Sequence, residues 1–82
     1  MRLHIRLFAR ARELAGTDML ALEVPPDITV AELRRRLATA CPALAGLLPR
    51  CAVAVNGEFA DEDRTVPPEA DVALLPPVSG GS

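Results

Sequence analysis

The chain has 82 residues, 50% of them hydrophobic and 24% charged, which suits one small folded domain with a single core and leaves no length for a second. A net charge of −2 supplies no field to draw in nucleic acid, and Phe8 and Phe59 are the only aromatic side chains on which bases would stack. No apolar stretch approaches the ~20 residues of a membrane span and no apolar signal core opens the chain, so the expected setting is cytoplasmic, with neither nucleic acid nor membrane as partner.

In chain order, Leu3, Ile5 and Leu7 alternate with His4, Arg6 and Phe8, which predicts a first strand with its odd positions on the core. Ala9 to Ala15 are mostly helix formers and stop at Gly16. Leu20, Leu22 and Val24 then alternate until Pro25-Pro26, giving a hairpin-like pair of strands with a longer connection. Thr29-Val30-Ala31-Glu32 has capping-box spacing, so the main helix is expected to start near Thr29. Val30, Leu33, Leu37 and Cys41 form its core-facing stripe. Arg34, Arg35 and Arg36 fall on its flanks and outer side, where neighbours about 100° apart do not converge on one anion and read as a solvated face. Pro42 ends the helix or kinks it.

Ala43 to Leu48 allow a short further helical turn before Pro49. Cys51, Val53 and Val55 then alternate up to the tight-turn pair Asn56-Gly57, a third strand. Glu58 to Pro68 is short, acidic and bounded by proline, and Asp71 to Leu75 is the last strand before Pro76-Pro77. The order ββαββ, one main helix across a mixed sheet, is the α+β architecture of the β-grasp, ubiquitin-like proteins, expected over residues 1–75. A ferredoxin-like sheet would need a second long helix, and Glu58 to Glu69 is too short and proline-rich to supply one.

No catalytic constellation emerges from the residue types. Cys41 and Cys51, ten positions apart with no CxxC, read as two buried free thiols. His4 has no nucleophile at a recognisable spacing and reads as a surface residue, and Asp61-Glu62-Asp63 lacks the pattern of a calcium loop and reads as a polar turn. All nine basic residues are arginine, so no lysine is present to form an isopeptide bond or a Schiff base. No bound cofactor or metal is expected.

Residues 76–82 follow the last strand and lack a hydrophobic set that could fold back on a core, so they are expected to form a flexible tail. Pro76-Pro77 stiffens its base, Gly80-Gly81 thins its end for entry into a narrow channel, and its extended reach is on the order of 20 Å. An alternative is that Gly-Gly-Ser is only a loose end without chemistry.

Nearly the whole chain resembles the small, sulfur-carrying subunit of molybdopterin synthase, within the ubiquitin-like sulfur carriers. The motifs are Leu7-Phe8-Ala9, Arg12-Glu13-Leu14-Ala15-Gly16, Val53-Ala54-Val55-Asn56, and Asp71-Val72-Ala73-Leu74-Leu75 running into Pro76-Pro77-Val78-Ser79-Gly80-Gly81. The resemblance implies that an adenylating enzyme of the ubiquitin-activating type uses ATP to form a transient acyl-adenylate at the terminal glycine, Gly81 next to Gly80. That adenylate becomes a thiocarboxylate, whose sulfur the large synthase subunit builds into molybdopterin. It further implies that the chain is no enzyme on its own. Phe8, Phe59 and Leu75 would meet both partners, with Pro76, Pro77 and Val78 inserted alongside and Arg12 near the activating enzyme. Ser82 departs from the pattern, because a chain ending in serine is not chargeable at glycine. Proteolytic trimming, an addition from cloning, or loss of carrier activity each account for it. Carriers serving thiamine, cysteine, tRNA thiolation or a secondary metabolite are alternatives, as is a β-grasp interaction module without tail chemistry.

Overall fold

The computed structural model of the chain describes residues 1–77; Val78, Ser79, Gly80, Gly81 and Ser82, which include the expected sulfur-bearing end, lie outside the described residues. Strand β1 (Arg2–Leu7) buries Leu3, Ile5 and Leu7 and exposes the residues between them, as its alternation requires. Helix α1 (Ala9–Ala15) stops at Gly16, whose φ of 75° is the left-handed geometry glycine adopts without strain and whose N–H donates to the Arg12 carbonyl. Strand β2 (Met19–Glu23) returns antiparallel to β1, with Arg2 opposite Glu23.

Helix α2 (Val30–Ala40) starts where Thr29 Oγ1 accepts the Glu32 N–H at 3.2 Å. The reciprocal half of the expected capping box is replaced: the Glu32 carboxylate accepts from Arg35 Nη2 at 2.6 Å and lies 3.4 Å from Arg36 Nε. Two 3-10 turns, Pro42–Leu44 and Leu48–Arg50, follow the helix. Strand β3 (Ala52–Val55) leads into Asn56-Gly57, whose φ angles of 52° and 83° make the left-handed turn that a tight hairpin favours. The hairpin partner is β4 (Glu58–Phe59), and β5 (Asp71–Leu75) closes the fold.

The sheet order is β2-β1-β5-β3-β4, with β1 and β5 parallel at its centre and the other pairs antiparallel. Val53, Val55, Val72 and Leu74 join the odd residues of β1 on one face, against Val30, Leu33 and Leu37 of α2, while Leu44, Leu48 and Val66 close the margins. Each such side chain contributes roughly 1.5–3 kcal/mol on burial, and no polar or charged residue is buried among the described residues.

The expected β-grasp is present with three departures. A fifth strand, β4, was absent from the expected ββαββ order, because two residues cannot establish a period. Cys41 caps α2 and is half-exposed, because its backbone has already left the helix at φ −137°; only Cys51 is a buried thiol. Arg34 is not solvated like its neighbours. Its Nη1 donates to the carbonyls of Leu48 and Cys51 at 2.6 and 2.7 Å and its Nε to Glu62 at 2.8 Å, tying α2 to the start of β3.

Candidate functional site

With period-two alternation, the sheet face away from α2 carries everything that the core face rejects. Strand register fixes one row across it: Met19 opposite Arg6, Arg6 opposite Ala73, Ala73 opposite Ala54, and Ala54 opposite Phe59. The next row, toward the end of β5, contains Ala52 opposite Leu75. Phe8 follows the Leu7–Leu74 pair in extended backbone (φ −128°, ψ 154°), so it continues the outward alternation of β1 beside Leu75, although β1 itself ends at Leu7.

The result is a shallow face paved by alanine and framed by large apolar side chains. Phe8 is 40% exposed, Met19 42% and Phe59 75%. Leu75 and Pro76 are half-buried and Pro77 is exposed, so the segment that leads to the C-terminus leaves from the edge of this face. Three large apolar groups held in water on one small domain form the kind of patch that a partner covers. Phe8, Phe59, Leu75 and Pro76 are thus brought together. Arg12 belongs to α1 instead, exposed and without an ion-pair partner among the described residues. Val78, Gly80 and Gly81 lie outside the described residues.

Met19 and Arg6 belong to the face as well, though hydropathy does not single them out; the signal is parity, since both lie opposite in phase to the buried residues of their strands. Arg6 Nη2 donates to Asp71 Oδ2 at 3.0 Å, and its guanidinium sits 5.8 Å from the centre of the Phe8 ring.

Nothing among the described residues resembles a reaction centre. No group of three His, Cys, Asp or Glu side chains among the described residues is placed to hold a metal, and the charged side chains of an open hollow beside α2, lined by Ala31, Ala38, Leu48 and Pro49, are Arg34, Arg35 and Glu62, all already paired. His4 is exposed on β1. The buried Cys51 thiol is pushed up from its ordinary range by desolvation, partly offset by the nearby Arg34 and Arg50 charges, the opposite of an activated nucleophile. No helix of the described residues is long and apolar enough to cross a membrane. What the arrangement offers is an exposed apolar face beside the end of β5.

A five-stranded mixed sheet with parallel first and last strands, one main helix across it and an exposed face at the exit of the C-terminal segment defines a ubiquitin-like β-grasp protein. Residues 5–81 match the model of the ThiS family. The molybdopterin synthase sulfur carrier subunit of Arabidopsis thaliana is 34% identical over 77 residues, 94% of this chain and 80% of that protein. The crystal structure of SAMP1 from Haloferax volcanii superposes with a TM-score of 0.87 at 31% identity, covering 99% of this chain and all of that one. The same fold, with a TM-score of 0.70 at 24% identity over 99% of this chain and 100% of that one, occurs in a Helicobacter pylori complex of subunits 1 and 2 of molybdopterin-converting factor. The chain belongs to the ThiS family, and within it to the kind of the molybdopterin synthase sulfur carrier subunits.

Proposed function

We propose that the chain is the sulfur-donating small subunit of a molybdopterin synthase, carrying sulfur as a thiocarboxylate on Gly81 after Ser82 is removed. The observation that carries this reading is the exposed Phe8, Phe59 and Leu75 face at the root of a segment that reads Pro76-Pro77-Val78-Ser79-Gly80-Gly81. The family supports it, as does the two-subunit complex in which the Helicobacter pylori protein of this fold occurs.

The chemistry follows from the weakness of a carboxylate as an electrophile. A terminal carboxyl with a pKa of about 3.5 is ionised at neutral pH, so sulfur does not displace its oxygen unaided. An adenylating enzyme joins that oxygen to the α-phosphorus of ATP and releases pyrophosphate. Hydrosulfide then attacks the carbonyl carbon, the C–O bond to AMP breaks with AMP leaving, the S–H proton goes to solvent, and the thiocarboxylate remains. The large synthase subunit accepts the sulfur. This chain supplies no catalytic group, holds no cofactor of its own, acts in the cytoplasm, and meets both partners in turn through the same face, with Pro76, Pro77 and Val78 entering the partner and Arg12 at the margin of the activating enzyme.

The test is intact mass after incubation of the chain, with and without Ser82, with its adenylating enzyme, ATP and a sulfur donor. A gain of ~16 Da on the chain ending at Gly81, one oxygen replaced by sulfur, is the expected result. A chain ending at Gly81 that is never adenylated overturns the carrier reading in favour of a β-grasp interaction module. A thiocarboxylate that forms, while the large subunit fails to discharge it, assigns the carrier to another acceptor such as thiamine, cysteine or tRNA.

A further inference from the structure

We propose that Arg6, Asp71 and Asn56 form a brace that fixes the placement of the two aromatic contacts, Phe8 and Phe59, and so acts as the positioning element of the docking face; this rests on the carrier reading above. The two rings stand on non-adjacent strands. Phe8 follows the last residue of β1, Phe59 ends the two-residue β4 at the sheet edge, and both project into water, where a side chain is free to change rotamer. A polar path crosses the open face between them. The Arg6 guanidinium lies 5.8 Å from the Phe8 ring centre and donates to the Asp71 carboxylate at 3.0 Å. The Asp71 N–H donates to Asn56 Oδ1 at 2.9 Å, and the Asn56 N–H donates to the Asp71 carbonyl at 2.8 Å. Asn56 is the first residue of the tight turn, and the strand leaving that turn ends in Phe59.

The Asn56–Asp71 bonds continue the β3–β5 ladder and hold the turn, whereas the Arg6–Asp71 link is one that folding alone hardly needs. The side chains of Arg6 and Asp71 are 49% and 56% exposed, and an ion pair that wet adds little to stability. Ala73 and Ala54 lie between Arg6 and Phe59, so no bulky side chain in that row wedges the Phe59 ring in place, while Phe8 has only Leu75 beside it on β5. The brace supplies that restraint from the surface. It narrows the conformations that Phe8 and the turn must give up when a partner covers them, which is where preorganisation raises affinity.

The experiment measures affinity for the large synthase subunit, and KM and kcat for the carrier in the adenylation reaction, in Arg6→Gln, Asp71→Asn, the double variant and Arg6→Lys, with Phe8→Ala and Phe59→Ala beside them. Arg6→Gln and Asp71→Asn are each expected to weaken binding ~3–10-fold and raise KM to match with kcat unchanged. The double variant is expected to lose no more than the worse single one, and Arg6→Lys, which keeps the ion pair but not the flat guanidinium, to fall between. Melting temperatures are expected to stay at that of the unsubstituted chain. Normal affinity in Arg6→Gln and Asp71→Asn while Phe8→Ala and Phe59→Ala bind poorly overturns the brace and leaves the docking face intact. Normal affinity in all of them overturns the docking face and the brace with it. A loss of affinity that tracks a loss of melting temperature overturns the positioning role.

Discussion

Burial separates the two thiols, and the separation has a measurable consequence. Cys51 is 4% exposed with its Sγ 3.4 Å from the Leu47 carbonyl, and burial raises its pKa above the ordinary 9.0 against the partial pull of Arg34 and Arg50. A group whose folded pKa is raised contributes stability that is present in full below its unfolded pKa and is lost as pH rises through the folded value. The sequence contains neither lysine nor tyrosine, so little else titrates in that range. Unfolding free energy is therefore expected to fall above about pH 9, and a Cys51→Val chain to hold a flatter alkaline profile, as read by urea titrations at stepped pH. In the native protein, alkylation followed by peptide mapping is expected to modify the half-exposed Cys41 quickly and Cys51 only on unfolding. The acid side is governed by the opposite sign. The Glu32 carboxyl is held below 4.5, first by its hydrogen bond from Arg35 and then by the charges of Arg35 and Arg36, so its contribution is present above that pH and lost as pH falls. A Glu32→Gln chain is expected to show a shallower loss of melting temperature as pH falls below about 4.5.

Elements are joined here by side chains that local sequence does not announce, and Arg34 is the leading case. Its guanidinium caps the carbonyls of Leu48 and Cys51, which a 3-10 turn and a strand start would otherwise leave without these donors, and it is only 19% exposed. Arg34→Ala is expected to cost about 2 kcal/mol in chemical denaturation, and Arg34→Lys to recover part of it, because an ammonium cannot serve both carbonyls and Glu62 in one plane. That role is unreadable in the sequence because its partners lie 14, 17 and 28 positions ahead and nothing in a run of three arginines marks the first. The legible parts share a physical signature that repeats. Leu3, Ile5 and Leu7 alternate over a six-residue strand, Val30, Leu33 and Leu37 recur at helical spacing, and Asn56-Gly57 adopts the positive φ angles that select those two residues. What failed had no repeat to read: β4 is two residues long, and Cys41 followed the helical period one step past the end of the helix. Of the candidate face, Phe8 was legible as a large apolar residue out of phase with the core of β1, Phe59 by its place just after the Asn56-Gly57 turn, and Leu75 by its place beside the Pro76 segment. Met19 was not, since a lone methionine before an apolar strand looks like part of it.

At the scale of the whole molecule the limiting quantity is the size of the open face. Strands of six, five, four, two and five residues at ~4.8 Å spacing and ~3.3 Å per residue give on the order of 350 Å² of flat sheet. A stable protein contact takes roughly 800 Å² from each partner. One partner therefore needs the entire face together with its margins and the segment that starts at Pro76, and among the described residues no comparable apolar surface is left for a second: the opposite side of the sheet is filled by α2, and the hollow beyond α2 is crossed by the Arg34–Glu62 pair. If the proposed function holds, binding to the adenylating enzyme and to the large subunit is expected to be mutually exclusive, so that the chain leaves one to reach the other. In size-exclusion or sedimentation experiments with all three proteins, two binary complexes and no ternary one are expected, with the large subunit displacing the carrier from the enzyme at a concentration set by the ratio of the two affinities. Phe59→Ala is expected to weaken both binary complexes ~10-fold or more while leaving the melting temperature unchanged, since a ring that is 75% exposed in the free chain stabilises the contact and not the fold. A stable ternary complex would mean that the two partners read different sides of the domain, and that Phe8, Phe59 and Leu75 serve only one of them.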